Sequence, residues 1–178
     1  MKKLKLNELN RAKIEEYSKQ EKFPVVIVLD NIRSAMNVGS FFRTADGFGI
    51  EKICICGISA CPPHKEISKT AIGADKSVQW EYKNDIVNCV KELKNSGYQI
   101  IGIEQTDSSI FLNDFSPSKH NKYAFVFGNE VEGISDDILP IIDSAIEIPQ
   151  FGTKHSFNVA VAGGIVLWDY VSKILAED

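Results

Sequence analysis

The sequence predicts an α/β protein, a parallel sheet with helices on both faces, and three observations predict it. Short apolar runs rich in β-branched residues recur at 25–29, 53–57, 98–103, 123–127 and 145–148. Unbroken runs of this kind suit strands buried on both faces. Between several of them lie segments with apolar residues at helical spacing, and strands alternating with helices pair in parallel through right-handed crossovers. Finally, polar loops at 30–43, 128–133 and 149–158 each follow a strand, so in a parallel sheet all three emerge at the carboxyl edge, where α/β sheets bind ligands.

Taken in order, residues 1–22 read as an arm, with a helix expected over 6–20 on a ragged stripe of Leu9, Ala12, Ile14 and Tyr17. Residues 23–178 form the domain proper. Pro24 introduces the first strand. Val38, Phe41, Phe42, Ala45 and Phe48 then mark a helix that Gly49 ends, leaving Arg43 on its outer side. The second strand places Cys54 and Cys56 on one face. Residues 70–74 read as a small-residue turn after a loop at 61–69, followed by a strand at 78–82 and a helix at 85–96 with Ile86, Val87, Val90 and Leu93 inward. Glu104, Gln105 and Thr106 stand at the carboxyl end of the strand 98–103, and 110–121 is irregular. Ser135 is expected to cap a short helix cut by Pro140, and the last helix runs over 158–175.

A chain of 178 residues with 44% hydrophobic content fits one globular domain. No apolar run reaches the roughly 20 residues that span a bilayer, and residues 1–10 lack a signal-peptide core. The expectation is a cytoplasmic protein with no membrane partner. Four cysteines without an extracellular signal do not indicate a disulfide framework. A net charge of −4 argues against non-specific coating of nucleic acid. The arm, however, holds seven Lys/Arg against four Glu, a local +3 that leaves −7 on the remainder. A basic arm on an acidic body suits either steering of an anionic partner or an ordinary solvated helix.

Familiar chemistries can be weighed against the loops. Gly128 and Gly133 have P-loop spacing, but Ile134 stands where the lysine belongs and Glu130 and Glu132 would repel phosphate. No Gly-x-Gly-x-x-Gly follows a strand. Cys54, Cys56, Cys61 and His64 match no common zinc pattern, so no metal site is expected. Glu130 and Glu132 point apart if extended, which weakens a carboxylate pair. Glu130 alone suits ordering its loop. His155 beside Ser156 does not form a nucleophile elbow.

Read together, the loops carry a resemblance. Asn31-x-Arg33, Asn37-x-Gly39 and Arg43-Thr44-Ala45, then Phe127-Gly128-Asn129-Glu130 with Gly133, then Ile148-Pro149 with Ser156-Phe157-Asn158, resemble in order the three motifs of the SpoU class of RNA ribose 2′-O-methyltransferases. The match spans roughly 25–171. The residues alone point to an unknotted doubly wound sheet, because knots are rare. The resemblance instead implies an α/β fold with a C-terminal trefoil knot, bound S-adenosylmethionine, a tRNA or rRNA substrate and a homodimer through the last helix, with Trp168 and Tyr170 as anchors.

By that resemblance Glu104, Gly128, Asn129, Ile148, Pro149, Ser156 and Phe157 line the cofactor pocket. Arg43, Asn37, Glu130, Ser156 and Asn158 are the catalytic candidates. An arginine is a poor base, so Arg43 is better suited to positioning a phosphate and stabilising a forming alkoxide. Its plainer reading is a surface residue paired with Asp46 or Glu51. Asn37 and Asn158 suit fixing the ribose or Arg43, although Asn158 and Ser156 are also ordinary helix-start residues. The alternative function is a non-catalytic RNA-binding or assembly factor on the same fold. The expectation is that the chain lacks the separate amino-terminal RNA-binding domain of larger members, which leaves substrate choice to the arm, the dimer surface and the loop at 61–69.

Overall fold

Seven strands, all parallel, run through the computed structural model, which describes residues 1–5, 8–9 and 11–177. A single helical turn, α1 (Ile14–Tyr17), precedes β1 (Phe23–Asp30). Then come α2 (Ala35–Phe48), β2 (Ile50–Cys56), α3 (Lys65–Ala71), β3 (Gln79–Lys83), α4 (Ile86–Asn95) and β4 (Tyr98–Ile103). The chain closes with β5 (Ile110–Phe111), β6 (Lys122–Phe127), β7 (Ser144–Glu147) and α5 (Val159–Ala176). The strand order is β3-β2-β1-β6-β4-β7-β5, with every neighbouring pair parallel. β6 thus enters between β1 and β4, and β7 between β4 and β5.

The two-residue period of a strand divides the core into two layers. Val25, Ile27 and Leu29 of β1 join Ile53, Ile55, Phe125 and Phe127 beneath α2 and α5. Val26 and Val28 join Cys54, Cys56, Ala124 and Val126 beneath Cys89, Val90 and Leu93 of α4. Both faces of the central strands are therefore dry, which is why their sequences do not alternate. Each fully buried Val, Ile or Phe side chain contributes roughly 1.5–3 kcal/mol. Ser34 Oγ accepts from Asn37 N at the start of α2, and Gly49 ends it in the left-handed conformation.

Several sequence expectations change. The helix expected over 6–20 shrinks to α1, since its stripe finds little to pack on; Leu6, Asn7 and Asn10 lie outside the described residues. Part of 61–74 is helical: α3 is capped by His64 Nδ1, which accepts from Glu66 N at 3.2 Å, and it buries Ile67 and Ala71. Gly39 of α2 admits this helix, because a Cβ there would collide with Thr70 Oγ1 and Ile67 O. Ser135 caps no helix. Its N–H donates to buried Asp30 Oδ2 at 2.7 Å, and only a 3₁₀ turn, Leu139–Ile141, forms around Pro140. Asn158, not Ser156, caps α5, its Oδ1 accepting from Ala160 N at 3.0 Å and Val161 N at 3.3 Å.

α5 is long and apolar enough to cross a membrane by length and composition alone. Its inner face belongs to the core instead, with Val166, Leu167, Tyr170, Val171 and Ile174 buried. Gly163 packs so closely on α2 that a Cβ would strike the Phe41 ring. Tyr170 sits in an aromatic cluster with Phe23, Tyr123 and Phe125, so it is not a surface anchor. The outer face is bare: Val161, Trp168 and Leu175 are 52%, 56% and 58% exposed, seven residues apart.

Candidate functional site

Because the strands are parallel, the ends of β4, β6 and β7 open at one edge, and there the chain forms a cleft of about 200 Å³. Its lining includes the apolar Ile103, Phe127, Ile146, Ile148, Val159 and Ala162. Its polar lining includes Glu104, Gln105, Glu130, Glu147 and residues of the loop 128–133.

Local chemistry shapes this cleft. Asn129 folds its own loop: its Oδ1 accepts from Val131 N at 2.9 Å and Glu132 N at 3.1 Å, while its Nδ2 donates to Asn31 O at 2.8 Å. The loop closes so tightly that a Cβ on Gly128 would collide with the backbone of Gly133 and Ile134. Only glycine fits there. Glu104 braces the same loop from β4, its carboxylate accepting from Ile134 N at 3.0 Å and Gln105 N at 2.9 Å. Gln105 Nε2 and Gln150 Nε2 both donate to His155 O at 3.3 Å, which ties the third loop to the end of β4.

Glu130 connects the three loops. Its carboxylate accepts from Arg33 N at 2.9 Å, Ser34 N at 3.1 Å and Asn37 Nδ2 at 2.9 Å. Asn37 Oδ1 in turn accepts from Asn158 Nδ2 at 3.2 Å. A chain of hydrogen bonds therefore runs from the β6 loop through the start of α2 to the cap of α5. Partial burial raises the Glu130 carboxyl, but the donors from Arg33, Asn37 and Ser34 outweigh it, and the group lies below its ordinary value of 4.5.

Among the residues expected to hold a cofactor, Glu104, Gly128, Asn129, Ile148, Ser156 and Phe157 line the cleft, whereas Pro149 does not. Among the catalytic candidates, Glu130 and Ser156 line it. Asn37 and Asn158 stand behind it, with both side-chain amides engaged within the protein. In this structure these hydrogen bonds tie the loops to one another. Arg43 is elsewhere. It projects from the outer side of α2 and makes no hydrogen bond or ion pair among the described residues, with Asp46 and Glu51 included. It lines a second groove of about 740 Å³ with Arg11, Tyr17, Asp46, Ile72 and Gly73. The arm is seated there through Tyr17, whose hydroxyl donates to Asp46 O at 3.1 Å.

The sequence reading missed Ile103, Phe127, Ile146, Glu147, Val159 and Ala162 as cleft residues. Several are the last residues of strands, a signal available once the strands are taken as parallel. Glu147 is the most consequential omission, being a carboxylate among the residues that line the cleft.

Fold and site together define a ligand-binding α/β domain whose cleft is built from the loops that follow its central strands. Residues 24–168 match the family model described as the SpoU rRNA Methylase family, and the chain belongs to that family. The 23S rRNA (guanosine-2′-O-)-methyltransferase RlmB of Neisseria meningitidis is 31% identical over 144 residues, or 81% of this chain. The chain spans 56% of that relative's length. The crystal structure of the Aquifex aeolicus TrmH/SpoU tRNA modifying enzyme superposes with a TM-score of 0.81 at 26% identity, covering 92% of this chain and 82% of that one. The AviRb methyltransferase of Streptomyces viridochromogenes, in complex with AdoMet, shares the fold with a TM-score of 0.77 at 20% identity, over 89% and 63% of the two chains.

Proposed function

We propose that this protein transfers a methyl group from S-adenosylmethionine to a ribose 2′-hydroxyl of tRNA or rRNA, and that it does so as a homodimer. The observation that carries this reading is the cleft itself, where three family motifs are locked together by the Glu130, Asn37 and Asn158 hydrogen bonds. Its donor set suits the cofactor: Ile148, Phe127 and Val159 offer apolar walls to an adenine ring, backbone groups of 128–133 and 148–157 offer edge contacts, and carboxylates face a cationic tail. When bound, S-adenosylmethionine supplies an electrophilic methyl on a sulfonium, which needs no metal.

The chain's own residues then divide the work. Glu130, Asn37 and Asn158 position the loops. Ser156 lines the cleft and its hydroxyl makes no hydrogen bond among the described residues, which leaves it available to a substrate. Arg43 binds the RNA phosphate and stabilises the forming alkoxide, since a guanidinium stays protonated at neutral pH. The cleft lacks Arg43 within one chain, so a second copy supplies it. The bare face of α5 supports this arrangement, with exposed Val161, Trp168 and Leu175 continuing toward the cap at Asn158.

The same reading includes a trefoil knot in the C-terminal half. The entry of β7 between β4 and β5 supports it. So do the contacts of the 105–115 segment with later chain on either side of the α5 cap: Gln105 reaches His155 O, and Lys173 Nζ donates to Leu112 O at 2.8 Å and Phe115 O at 2.7 Å.

Purified protein incubated with labelled S-adenosylmethionine and RNA from a strain lacking the gene should place label on 2′-O-methylnucleosides after complete digestion. Cofactor binding without transfer to any tRNA or rRNA would overturn the enzymatic reading in favour of a non-catalytic RNA-binding factor.

A further inference from the structure

The charge inside the cleft is one-sided. Three of its lining residues are glutamates, Glu104, Glu130 and Glu147, and no Lys or Arg lines it. His155 is the one lining residue of basic type, and its carbonyl is occupied by Gln105 and Gln150. A site for a nucleotide phosphate would be built the other way round, with cations and free N–H groups.

The three carboxylates are not equivalent. Glu130 is turned toward the first loop and engaged by three donors. Glu104 takes two backbone N–H groups, which fix its position at the end of β4. Glu147 has no side-chain hydrogen bond or ion pair among the described residues. Its place follows from the register: Ile103 of β4 pairs with Ile146 of β7, so Glu104 and Glu147 are the next residues on adjacent parallel strands and share one face of the sheet. Like charges set side by side on neighbouring strands disfavour each other. Bringing them to one cleft without a protein cation is a cost that a cationic ligand relieves.

We propose that Glu104 and Glu147 form an acidic wall that reads the positive charge of the methyl donor, so that the cleft takes the sulfonium form in preference to its neutral thioether product. The inference rests on the cofactor reading given above. S-Adenosylmethionine and S-adenosylhomocysteine share adenosine, carboxylate and ammonium, and differ by one methyl and one positive charge. Apolar walls sense only the extra methyl and are blind to the charge. A fixed negative wall does separate them, favouring donor entry and weakening the hold on product once the charge has gone. Neither glutamate touches the reacting hydroxyl in this scheme; both are specificity residues.

Calorimetry on the intact protein tests the wall without relying on turnover. Three ligands are titrated: S-adenosylmethionine, S-adenosylhomocysteine, and sinefungin, whose ammonium replaces the sulfonium. Glu147→Gln should weaken the two cationic ligands by about tenfold while S-adenosylhomocysteine changes by less than about twofold. Glu104→Gln should do the same, and its unchanged affinity for S-adenosylhomocysteine reports that the 128–134 loop is still in place. Parallel loss of all three ligands in both variants, or no change in either, would overturn the acidic wall alone. Wild-type protein that binds none of the three overturns the methyltransferase reading and the wall with it.

Discussion

Two regions of the molecule contrast sharply: the cleft at the carboxyl edge of the sheet and the groove beside α2. In the cleft, Glu104, Asn129, Glu130, Asn37 and Asn158 have partners within the chain, and the loops brace one another. In the groove, Arg43 has no partner among the described residues and the nearest cover is a one-turn arm held by Tyr17. A braced cleft and an unpaired arginine occupy the same chain. On the reading proposed above, one chain holds the small ligand by itself, while methyl transfer needs a second chain to bring Arg43 to that cleft.

Removing the reactive group should separate the two regions most widely. Arg43→Ala is expected to lower methyl transfer by roughly 10²–10³-fold. Calorimetry should show S-adenosylmethionine affinity unchanged within about twofold, since Arg43 lies outside the cleft; equal losses in both would break the division. Next in size is the α5 face. If the proposed dimer forms through this face, Trp168→Glu should yield a monomer in sedimentation experiments, because an exposed aromatic at the centre of an apolar stripe is a usual interface anchor. The resulting monomer should still bind cofactor but not transfer methyl.

Changes within the cleft act on both binding and stability. Gly128→Ala forces a Cβ against the Gly133 and Ile134 backbone, which should destabilise the fold by roughly 1–3 kcal/mol in urea and abolish saturable cofactor binding. Glu130→Ala strands the N–H groups of Arg33, Ser34 and Asn37. A cost of about 1–3 kcal/mol is the upper range, reduced by the access of water to this partly exposed site.

The smallest effect is in acid. The Glu130 carboxyl lies below its ordinary value of 4.5 in the folded protein. Its contribution is therefore fully present above pH 4.5 and lost as pH falls through the lower folded value. The acid limb of the stability curve should be shallower in Glu130→Gln than in wild type, and a limb of unchanged slope would remove Glu130 as the acid-sensitive tie.

Much of this was legible in the sequence, and the gaps have physical causes. The strand 98–103 matches β4 because its residues are apolar and the structure buries most of them. α3 was missed because a seven-residue helix that buries only Ile67 and Ala71 shows no full period. Ser156 was a reasonable cap by residue type, but backbone direction lets Asn158 reach the free N–H groups of α5. Glu130 was open to a loop-ordering reading, and three donors agree with it. The sequence suits Asn37 and Asn158 to fixing the ribose or Arg43 and Asn158 to starting a helix, but not to bonding each other, because that bond spans 121 positions and no local pattern announces it. Glu147 was overlooked because its meaning depends on register with β4. Tyr170 and Trp168 are two apart on one helix, which puts them on different faces, and only Trp168 is exposed.

On the proposed function, the cofactor cleft of one chain is completed by Arg43 of another. Two variants test it, Arg43→Ala and Ile148→Asp, the latter placing a charge on the apolar wall. Each alone should be inactive. Dissociated, mixed in equal amounts and re-associated, they should recover about a quarter of wild-type methyl transfer, because half of the dimers then hold one site with both an intact cleft and an intact Arg43. Two inactive variants that stay inactive after verified exchange of subunits would contradict the claim.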